Sequence, residues 1–175
     1  MAGVVPIVPI VLSDASPLIV LSRIDGLHWL KAIFGVVHAP LAVRNEVLIG
    51  KDQAGEAVIR AAITDKSLVV LRRDWKQPQF PLLGEGEAAC IRAAVNLRQP
   101  SLLLMDDRAG RSTAMEQGFK VAGTAAVIAM AKRKNVIPSA TAVFEQLLQM
   151  DFRLSADVIR AALVAAGEWP VSAKP

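Results

Sequence analysis

The sequence predicts an α/β fold of three layers, in which a short parallel β-sheet is flanked by helices on both faces. Short aliphatic runs alternate with longer segments of helical periodicity, an order typical of parallel strands joined by helical crossovers. The apolar share is 53% but the aromatic share only 5%, so Ala, Val, Leu and Ile must form the core. Such residues suit a parallel sheet, whose strands are buried on both faces and read as continuous aliphatic runs.

Four aliphatic runs are predicted to be strands. Pro9 is placed at the entrance of the first, because proline cannot donate to a strand ladder. The predicted strands are Val8–Ser13, Val36–His38, Leu68–Leu71 and Leu102–Met105. The segment Arg72–Leu83 contains Pro78 and Pro81 and has no clear period, so it is predicted to be a loop.

The segments between and after these strands are predicted to be helices. Ser16 followed by Pro17 suggests an N-cap and a first helical residue, and Ser155 is a second candidate N-cap. The predicted helices are Pro17–Arg23, Leu27–Phe34, Pro40–Ile49, Ala54–Ile63, Glu85–Asn96, one that begins near Asp107, Val121–Lys134, Pro138–Met150 and Ser155–Ala166.

Length and composition favour one domain over residues 1–168, with residues 169–175 as a loose tail. The single Cys90 excludes an intrachain disulfide and a multi-cysteine zinc site, and is expected to be a small core residue. A net charge of +4 permits a polyanionic partner without requiring one. The apolar N-terminus lacks the basic start of a signal sequence, and no apolar run approaches the length of a membrane span. We therefore expect a cytoplasmic protein.

Two acidic positions directly follow predicted strands, which is where open α/β sheets display their functional groups. Asp14 follows the first strand, and because Ser16 is expected to cap the helix, Asp14 has no obvious structural task. Asp106 and Asp107 follow the strand that ends at Met105. An aspartate at a helix start is also a favourable cap, so one of this pair could cap while the other faces a site.

Two further acids are predicted to lie on helices beside apolar residues. Glu46 shares a helix face with Val43, although a solvated surface position is the commoner explanation for a glutamate of this kind. Glu87 shares its face with Cys90, Ile91 and Ala94, which predicts that Glu87 borders the core. Glu85 shares its face instead with Ala88, Ala89 and Arg92, a stripe that ends in a charge and is predicted to face solvent.

Converging carboxylates need a compensating cation. At an effective dielectric near 20, two unit charges ~4 Å apart repel by about 4 kcal/mol. Such a cluster must share protons or bind a hard divalent metal, and Mg²⁺ and Mn²⁺ prefer oxygen-only ligands. A metal held in this way activates water and stabilises charge on a phosphate.

Several motifs together resemble PIN-domain nucleases. The opening motif of that family is similar to Leu12-Ser13-Asp14-Ala15-Ser16-Pro17-Leu18, and its second acid resembles Glu46. Gly84-Glu85-Gly86-Glu87-Ala88 is similar to the third motif and Leu103-Leu104-Met105-Asp106-Asp107-Arg108 to the fourth. A prokaryotic subgroup of the family, described as a domain of unknown function, has sequences that resemble two further segments of this chain: Val121-Ala122-Gly123-Thr124 and Phe152-Arg153-Leu154-Ser155. The likeness extends from Val8 to Leu163.

The resemblance implies a Mg²⁺- or Mn²⁺-dependent ribonuclease on a parallel-sheet sandwich. Many such proteins are VapC-like toxins of toxin–antitoxin pairs, often dimeric and held inactive by an antitoxin protein. By the same resemblance four acids would be catalytic, binding the metal or orienting the attacking water: Asp14, Glu46, Glu87 and Asp107. Asp106 competes with Asp107 as a metal ligand, and the sequence leaves that choice open. Ser16 and Thr124 would support these acids by hydrogen bonds.

Basic residues near the acid pair, Arg108 and Arg111, are candidates for contacts with an RNA backbone, although a solvated surface explains them as well. Two rival functions stay open at this point. One is a non-catalytic PIN-like module that binds nucleic acid or protein. The other is a phosphotransferase with a nucleophilic aspartate, which usually has a second acid two residues later, where this chain has Ser16.

Overall fold

The computed structural model describes residues 8–50, 54–150 and 152–170. Its sheet has five parallel strands in the spatial order β3-β2-β1-β4-β5. The strands are Ile10–Ser13 (β1), Val37–Ala39 (β2), Leu68–Val70 (β3), Ser101–Leu104 (β4) and Lys120–Ala122 (β5). The parallel sheet confirms the predicted fold class.

The direction of strand addition reverses between β1 and β4, at the centre of the sheet. From β1 the chain continues outward to β2 and β3, and then returns to β4, which pairs with the other side of β1 from Ile10 opposite Ser101 to Ser13 opposite Leu104. Where an open α/β sheet reverses its strand order, the connections diverge and leave a crevice at the carboxyl ends of the strands. The sheet therefore places a crevice directly after Ser13 and Leu104.

Helices cover both faces of the sheet. They are Ala15–Arg23 (α1), Leu27–Phe34 (α2), Leu41–Val47 (α3), Glu56–Thr64 (α4), Glu85–Leu97 (α5), Arg108–Glu116 (α6), Thr124–Arg133 (α7), Ala140–Gln149 (α8) and Ala156–Ala166 (α9). α5 contacts β1, β4 and α6, whereas α1, α2 and α7 pack against one another. α3 contacts both α1 and α5, so it bridges the two helical layers. None of the helices in the described part of the chain is long and apolar enough to cross a bilayer.

The core confirms the aliphatic character predicted from composition. Leu12 of β1, Leu103 and Leu104 of β4 and the following Met105 are fully buried, as expected for central strands with a layer on each side. Cys90 is also fully buried, and confirms its predicted role as a small core residue. Because the centre of the sheet is tightly packed, the residues that follow β1 and β4 have fixed positions.

One predicted helix was wrong at its start. Val121–Lys134 was predicted as a single helix, but Lys120–Ala122 forms the edge strand β5 and α7 begins only at Thr124. The strand is three residues long, so its aliphatic content cannot be told from a helix by periodicity. Gly123 separates the two elements.

The predicted cap of α1 was also wrong. α1 begins at Ala15, with Asp14 at the N-cap position, so Ser16 lies inside the helix and Pro17 is its third residue. Proline is tolerated there because the first four N–H groups of a helix have no intrahelical acceptor. The first strand begins at Ile10 rather than at Val8, which is 76% exposed. The other predicted cap is confirmed, since the Ser155 hydroxyl accepts from the Val158 N–H.

A carboxylate near the end of the chain connects α9 to α8. Glu168 accepts hydrogen bonds from the Ala140 N–H at 2.9 Å and from the N–H and hydroxyl of Thr141 at 2.8 and 2.7 Å. Burial raises the pKa of this carboxyl, but these bonds outweigh it and hold the pKa at about 2. The predicted loose tail therefore begins after a fixed residue, and positions 171–175 lie outside the described residues.

Glu168→Gln is expected to lower the free energy of unfolding by roughly 1–3 kcal/mol at about pH 7. The folded pKa of about 2 lies below the 4.5 that is ordinary for a glutamate. The stabilisation is therefore complete above pH 4.5 and is lost as the pH falls towards 2. Urea unfolding of both proteins at several pH values measures this. A deficit that stayed constant from neutral to strongly acidic pH would contradict the role of the ionised carboxylate.

Candidate active site

Asp14 and Asp106 occupy the crevice at the carboxyl ends of the two central strands. Asp14 directly follows β1, and its N–H donates to the carbonyl oxygen of Leu104 in β4 at 2.9 Å. Asp106 follows β4 with Met105 between them. Asp14 is only 3% exposed, whereas Asp106 is half-buried. The parallel pairing of β1 with β4 thus brings together two acids that lie far apart in the sequence.

Glu46 and Glu87 reach the same crevice from helices. The clearest sign is Gly86 in the first turn of α5, where a Cβ atom would lie 2.8 Å from Asp14 Oδ1 and 2.9 Å from Glu46 Oε2. Glu87, the next residue, lies against Gly110 of α6, where a Cβ would be 3.1 Å from the Glu87 Cγ. The sheet, α3 and α5 therefore each place a carboxylate in the same crevice.

The pKa values of these carboxyls are raised by burial and by their mutual repulsion. Burial, and then the negative charges of Glu87, Glu46 and Asp106, raise the pKa of Asp14 from 3.8 to about 7, although the Ala15 N–H opposes the rise. Burial, and then the charge of Glu87, raise the pKa of Glu46. The carboxylate cluster, defined as Asp14, Glu46, Glu87 and Asp106, is therefore costly to ionise completely without a cation.

The structure distinguishes the two adjacent aspartates. Asp106 accepts from the Thr124 N–H at 2.7 Å and from the Thr124 hydroxyl at 2.6 Å, and its charge acts on Asp14. Asp107 is exposed and caps α6, accepting from the Gly110 N–H at 2.9 Å. Asp106 thus belongs to the cluster, Thr124 supports it, and Asp107 has a structural task of its own.

Of the other predicted site residues, Arg111 borders the carboxylate cluster, whereas Arg108 and Ser16 form no hydrogen bond with it within the described residues. The half-buried Arg111 donates to the Met105 carbonyl oxygen at 3.1 Å and borders the cluster at Gly123, where a Cβ would lie 2.8 Å from its Nη1 and 2.9 Å from Asp106 Oδ1. Arg108 is exposed at the start of α6. Ser16 lines a separate hollow and makes no hydrogen bond to the cluster within the described residues, because α1 begins before it.

Three glycines near the carboxylates were not predicted as site residues. A side chain at Gly86 would meet the oxygens of Asp14 and Glu46, one at Gly110 would meet Glu87, and one at Gly123 would meet Arg111 and Asp106. Gly86 and Gly110 lie in the first turn of a helix, where glycine has no conformational advantage, and Gly123 lies just before one. A glycine near the start of a helix was the feature of the sequence that could have identified these positions. The structure explains the glycines by the close approach of charged side chains.

The prediction for α5 was half wrong. Glu87 is half-buried beside Cys90 and Ile91 as expected, and the Glu85 side chain is 63% exposed. The stripe below Glu85 is not solvated, however, because Ala88, Ala89 and Arg92 are all buried. α5 lies between the sheet, α3 and α6, so most of its surface is covered. Glu85 has a task there, since it forms an ion pair with the buried guanidinium of Arg92.

The donor set fits a hard divalent cation, with water completing its shell. Among the residues that the structure describes, no three His, Cys, Asp or Glu side chains are arranged to hold one ion directly. Asp14 and Glu46 nevertheless turn oxygens towards the same point at Gly86, and Mg²⁺ is usually bound by one or two carboxylates together with waters and phosphate oxygens. Burial, and then the neighbouring negative charges, raise the pKa of Asp14, so its ionised form is costly there and a bound cation would offset that cost.

Comparison with known proteins gives one match. A family model described as a PIN domain matches residues 10–168 of this chain. Neither the curated proteins nor the solved structures contain a significant match. The matched range includes every member of the carboxylate cluster as well as Thr124 and Arg111.

Proposed function

The chain belongs to the PIN-domain family, and on that basis we propose that it is a Mg²⁺- or Mn²⁺-dependent ribonuclease that hydrolyses phosphodiester bonds at the carboxylate cluster. PIN domains are generally nucleases and typically use divalent metals. The observation that carries the proposal is the convergence of four carboxylates in the crevice where the strand order reverses. RNA is preferred over DNA as the substrate because the characterised proteins that this sequence resembles are mostly ribonucleases.

Each residue of the site has a distinct part in this proposal. A divalent cation bound there would lower the pKa of a water molecule and offset charge on the phosphate. Asp14 and Glu46 supply oxygens beside Gly86, and Glu87 increases the negative potential that attracts a cation. Thr124 fixes the orientation of Asp106 through two hydrogen bonds. Arg111, held by the Met105 carbonyl oxygen, is placed to bind a phosphate oxygen.

A role as the toxin of a prokaryotic toxin–antitoxin pair, with an antitoxin protein as partner, is proposed from the resemblance alone. The same resemblance supports a homodimer and a cytoplasmic location. An overlapping gene for a small DNA-binding protein, and co-purification of that protein with this one, would support the assignment. Expression of this chain alone without any effect on growth or RNA would argue against a toxin.

A non-catalytic PIN-like binding module is the second candidate. It is favoured by the arrangement of the acids, since no three side chains in the described segments are placed to hold one ion directly. A module of this kind would bind RNA or a protein partner but would gain little from a divalent metal. The intact set of carboxylates favours the nuclease.

Cleavage of single-stranded RNA is expected with Mn²⁺ or Mg²⁺ and not with EDTA. Asp14→Asn and Glu46→Gln are expected to reduce the rate by about 10²–10⁴-fold, the range contributed by a positioned acid or base. Glu145→Gln, at an exposed position of α8, is the matched control and should cleave at the unaltered rate. Cleavage that survives both carboxylate substitutions would contradict the proposal. Absence of cleavage together with no effect of Mn²⁺ on the melting temperature would identify a binding module.

A further inference from the structure

A groove of about 670 Å³ leads away from the carboxylate cluster between α7, α9 and the segment 152–155. Asp106, Arg111 and Gly123 line its inner end, and these same residues border the cluster. α7 has ten residues, so at 1.5 Å per residue the groove extends for about 15 Å from Gly123 to Arg133. This α7–α9 groove is therefore continuous with the candidate active site.

The groove exists because small side chains face each other across it. On α7 the lining residues Ala126, Ala129 and Met130 follow the spacing of one helix face. On α9 the lining residues Val158, Ala161, Ala162 and Ala165 do the same. Alanines on both faces let the two helices approach without filling the space between them. The result is a trough with an apolar floor.

The borders of the trough are basic. Arg111 lies at its inner end, Arg133 at the end of α7 and Arg153 in the segment before α9. No carboxylate among the described residues lies within ion-pair distance of these three guanidinium groups, and Arg133 and Arg153 are exposed. Asp106 is the one acid of the lining, and Thr124 occupies both of its oxygens. The groove thus suits an anion that carries flat apolar groups.

We propose that the α7–α9 groove binds single-stranded RNA on one side of the bond to be cut, with Arg133 and Arg153 on its phosphates and its bases on the apolar floor. This inference rests on the proposed function, because it assigns a substrate-binding role to a surface that begins at the active site. Guanidinium groups bind phosphate oxygens in a bidentate manner. Phe152, half-buried in the wall, offers one aromatic face for a base.

The lining also predicts weak base selectivity in this groove. Its apolar residues offer no side-chain hydrogen bonds, and Ser155, whose hydroxyl caps α9 by accepting from the Val158 N–H, is the one neutral polar side chain of the lining. Bases held by stacking and van der Waals contact are bound with little regard to sequence. Sequence preference of the nuclease would then have to arise nearer the scissile phosphate.

The test is RNA binding in EDTA, where cleavage does not occur. Arg133→Gln/Arg153→Gln is expected to weaken binding of a labelled single-stranded RNA about tenfold, and to flatten the slope of log K against log salt by about 1.4, at ~0.7 for each lost phosphate contact. Lys66→Asn/Lys120→Gln removes the same charge at the opposite, amino-terminal edge of the sheet, and should leave the slope unchanged. Asparagine suits position 66, where φ is +61°.

A second variant tests the groove without a change in charge. Ala161→Trp, at an exposed position of α9, should fill the trough and weaken binding by a similar factor. Unaltered binding in both groove variants would overturn the inference, and would leave an acidic protein segment as the occupant of the groove. This result is separate from failure of the proposed function, because RNA binding in EDTA does not depend on metal-dependent cleavage.

Discussion

Asp14→Asn is expected to stabilise the metal-free protein above about pH 7 and to remove most of the stabilisation that Mn²⁺ provides. Burial and the charges of Glu87 and Glu46 raise the pKa of Asp14 from 3.8 to about 7 in the folded protein. The folded protein therefore binds this proton more tightly than the unfolded chain does. The contribution of Asp14 to stability is greatest below pH 3.8, falls as the pH rises to about 7, and then stays constant.

The size of the effect follows from the shift in pKa. At 1.36 kcal/mol per unit, the wild-type protein should lose on the order of 2–4 kcal/mol between acid and mildly alkaline pH through this group, whereas asparagine cannot ionise. Urea unfolding in EDTA from about pH 5 to about pH 8 measures the difference. Asp25→Asn, at an exposed position with φ +54°, is the matched control. Parallel pH profiles for wild type and Asp14→Asn would show that another group causes the dependence.

The same pair of proteins tests the metal site. Mn²⁺ stabilises whichever state binds it, by an amount that rises with its concentration relative to the dissociation constant. Wild type and Asp25→Asn should therefore show equal increases in melting temperature, and Asp14→Asn a much smaller one. Equal increases in all three proteins would place the metal away from Asp14.

The position of Asp14 in the crevice could be predicted from the sequence because its signal is local. An acid that directly follows an aliphatic strand is placed by the strand itself, and the alternation of strands and helices predicted the parallel sheet. Which of Asp106 and Asp107 lies in the crevice could not be predicted in the same way. It depends on Thr124, whose hydroxyl lies 2.6 Å from Asp106 but 18 positions later in the chain.

That hydrogen bond depends in turn on the element that the sequence did not reveal. β5 places Thr124 beside β4, because Leu104 pairs with Ala122. Helical periodicity alone places Thr124 inside a helix over Val121–Lys134 and gives no reason for a contact with Asp106. The supporting role of Thr124 followed from the resemblance to the family and not from the predicted elements. A strand of three residues is too short to show the alternation of hydrophobic residues that identifies a strand, so its pairing with β4 is evident only in the structure.

The environment of α5 was hidden for a different reason. Helical periodicity correctly separated Glu85 from Glu87, since two positions apart on a helix means about 200° of rotation. Periodicity does not show how many neighbours a helix has. Since α3 and α6 both pack on α5, the second face is buried as well, and Arg92 with 6% exposure needs Glu85 as its partner.

Glu87→Gln is expected to reduce metal-dependent cleavage by about 10²–10⁴-fold while leaving the melting temperature equal or higher. Glu87 lies beside Gly110, and its charge raises the pKa values of Asp14 and Glu46. Removal of that charge relieves repulsion in the metal-free protein, but it also weakens the potential that attracts a cation. Loss of activity should therefore come without loss of stability.

Glu85→Gln is expected to show the reverse: nearly full cleavage and a lower stability. Glutamine keeps a hydrogen-bond acceptor but removes the charge that compensates Arg92, whose Nε has no hydrogen-bond partner within the described residues. Weakening the partner of a buried guanidinium should cost roughly 1–2 kcal/mol, reduced from the buried limit because Glu85 is itself largely exposed. Cleavage rates and urea unfolding of both variants give the comparison. A stable but inactive Glu85→Gln protein beside an active Glu87→Gln protein would show that Glu85, and not Glu87, serves the active site.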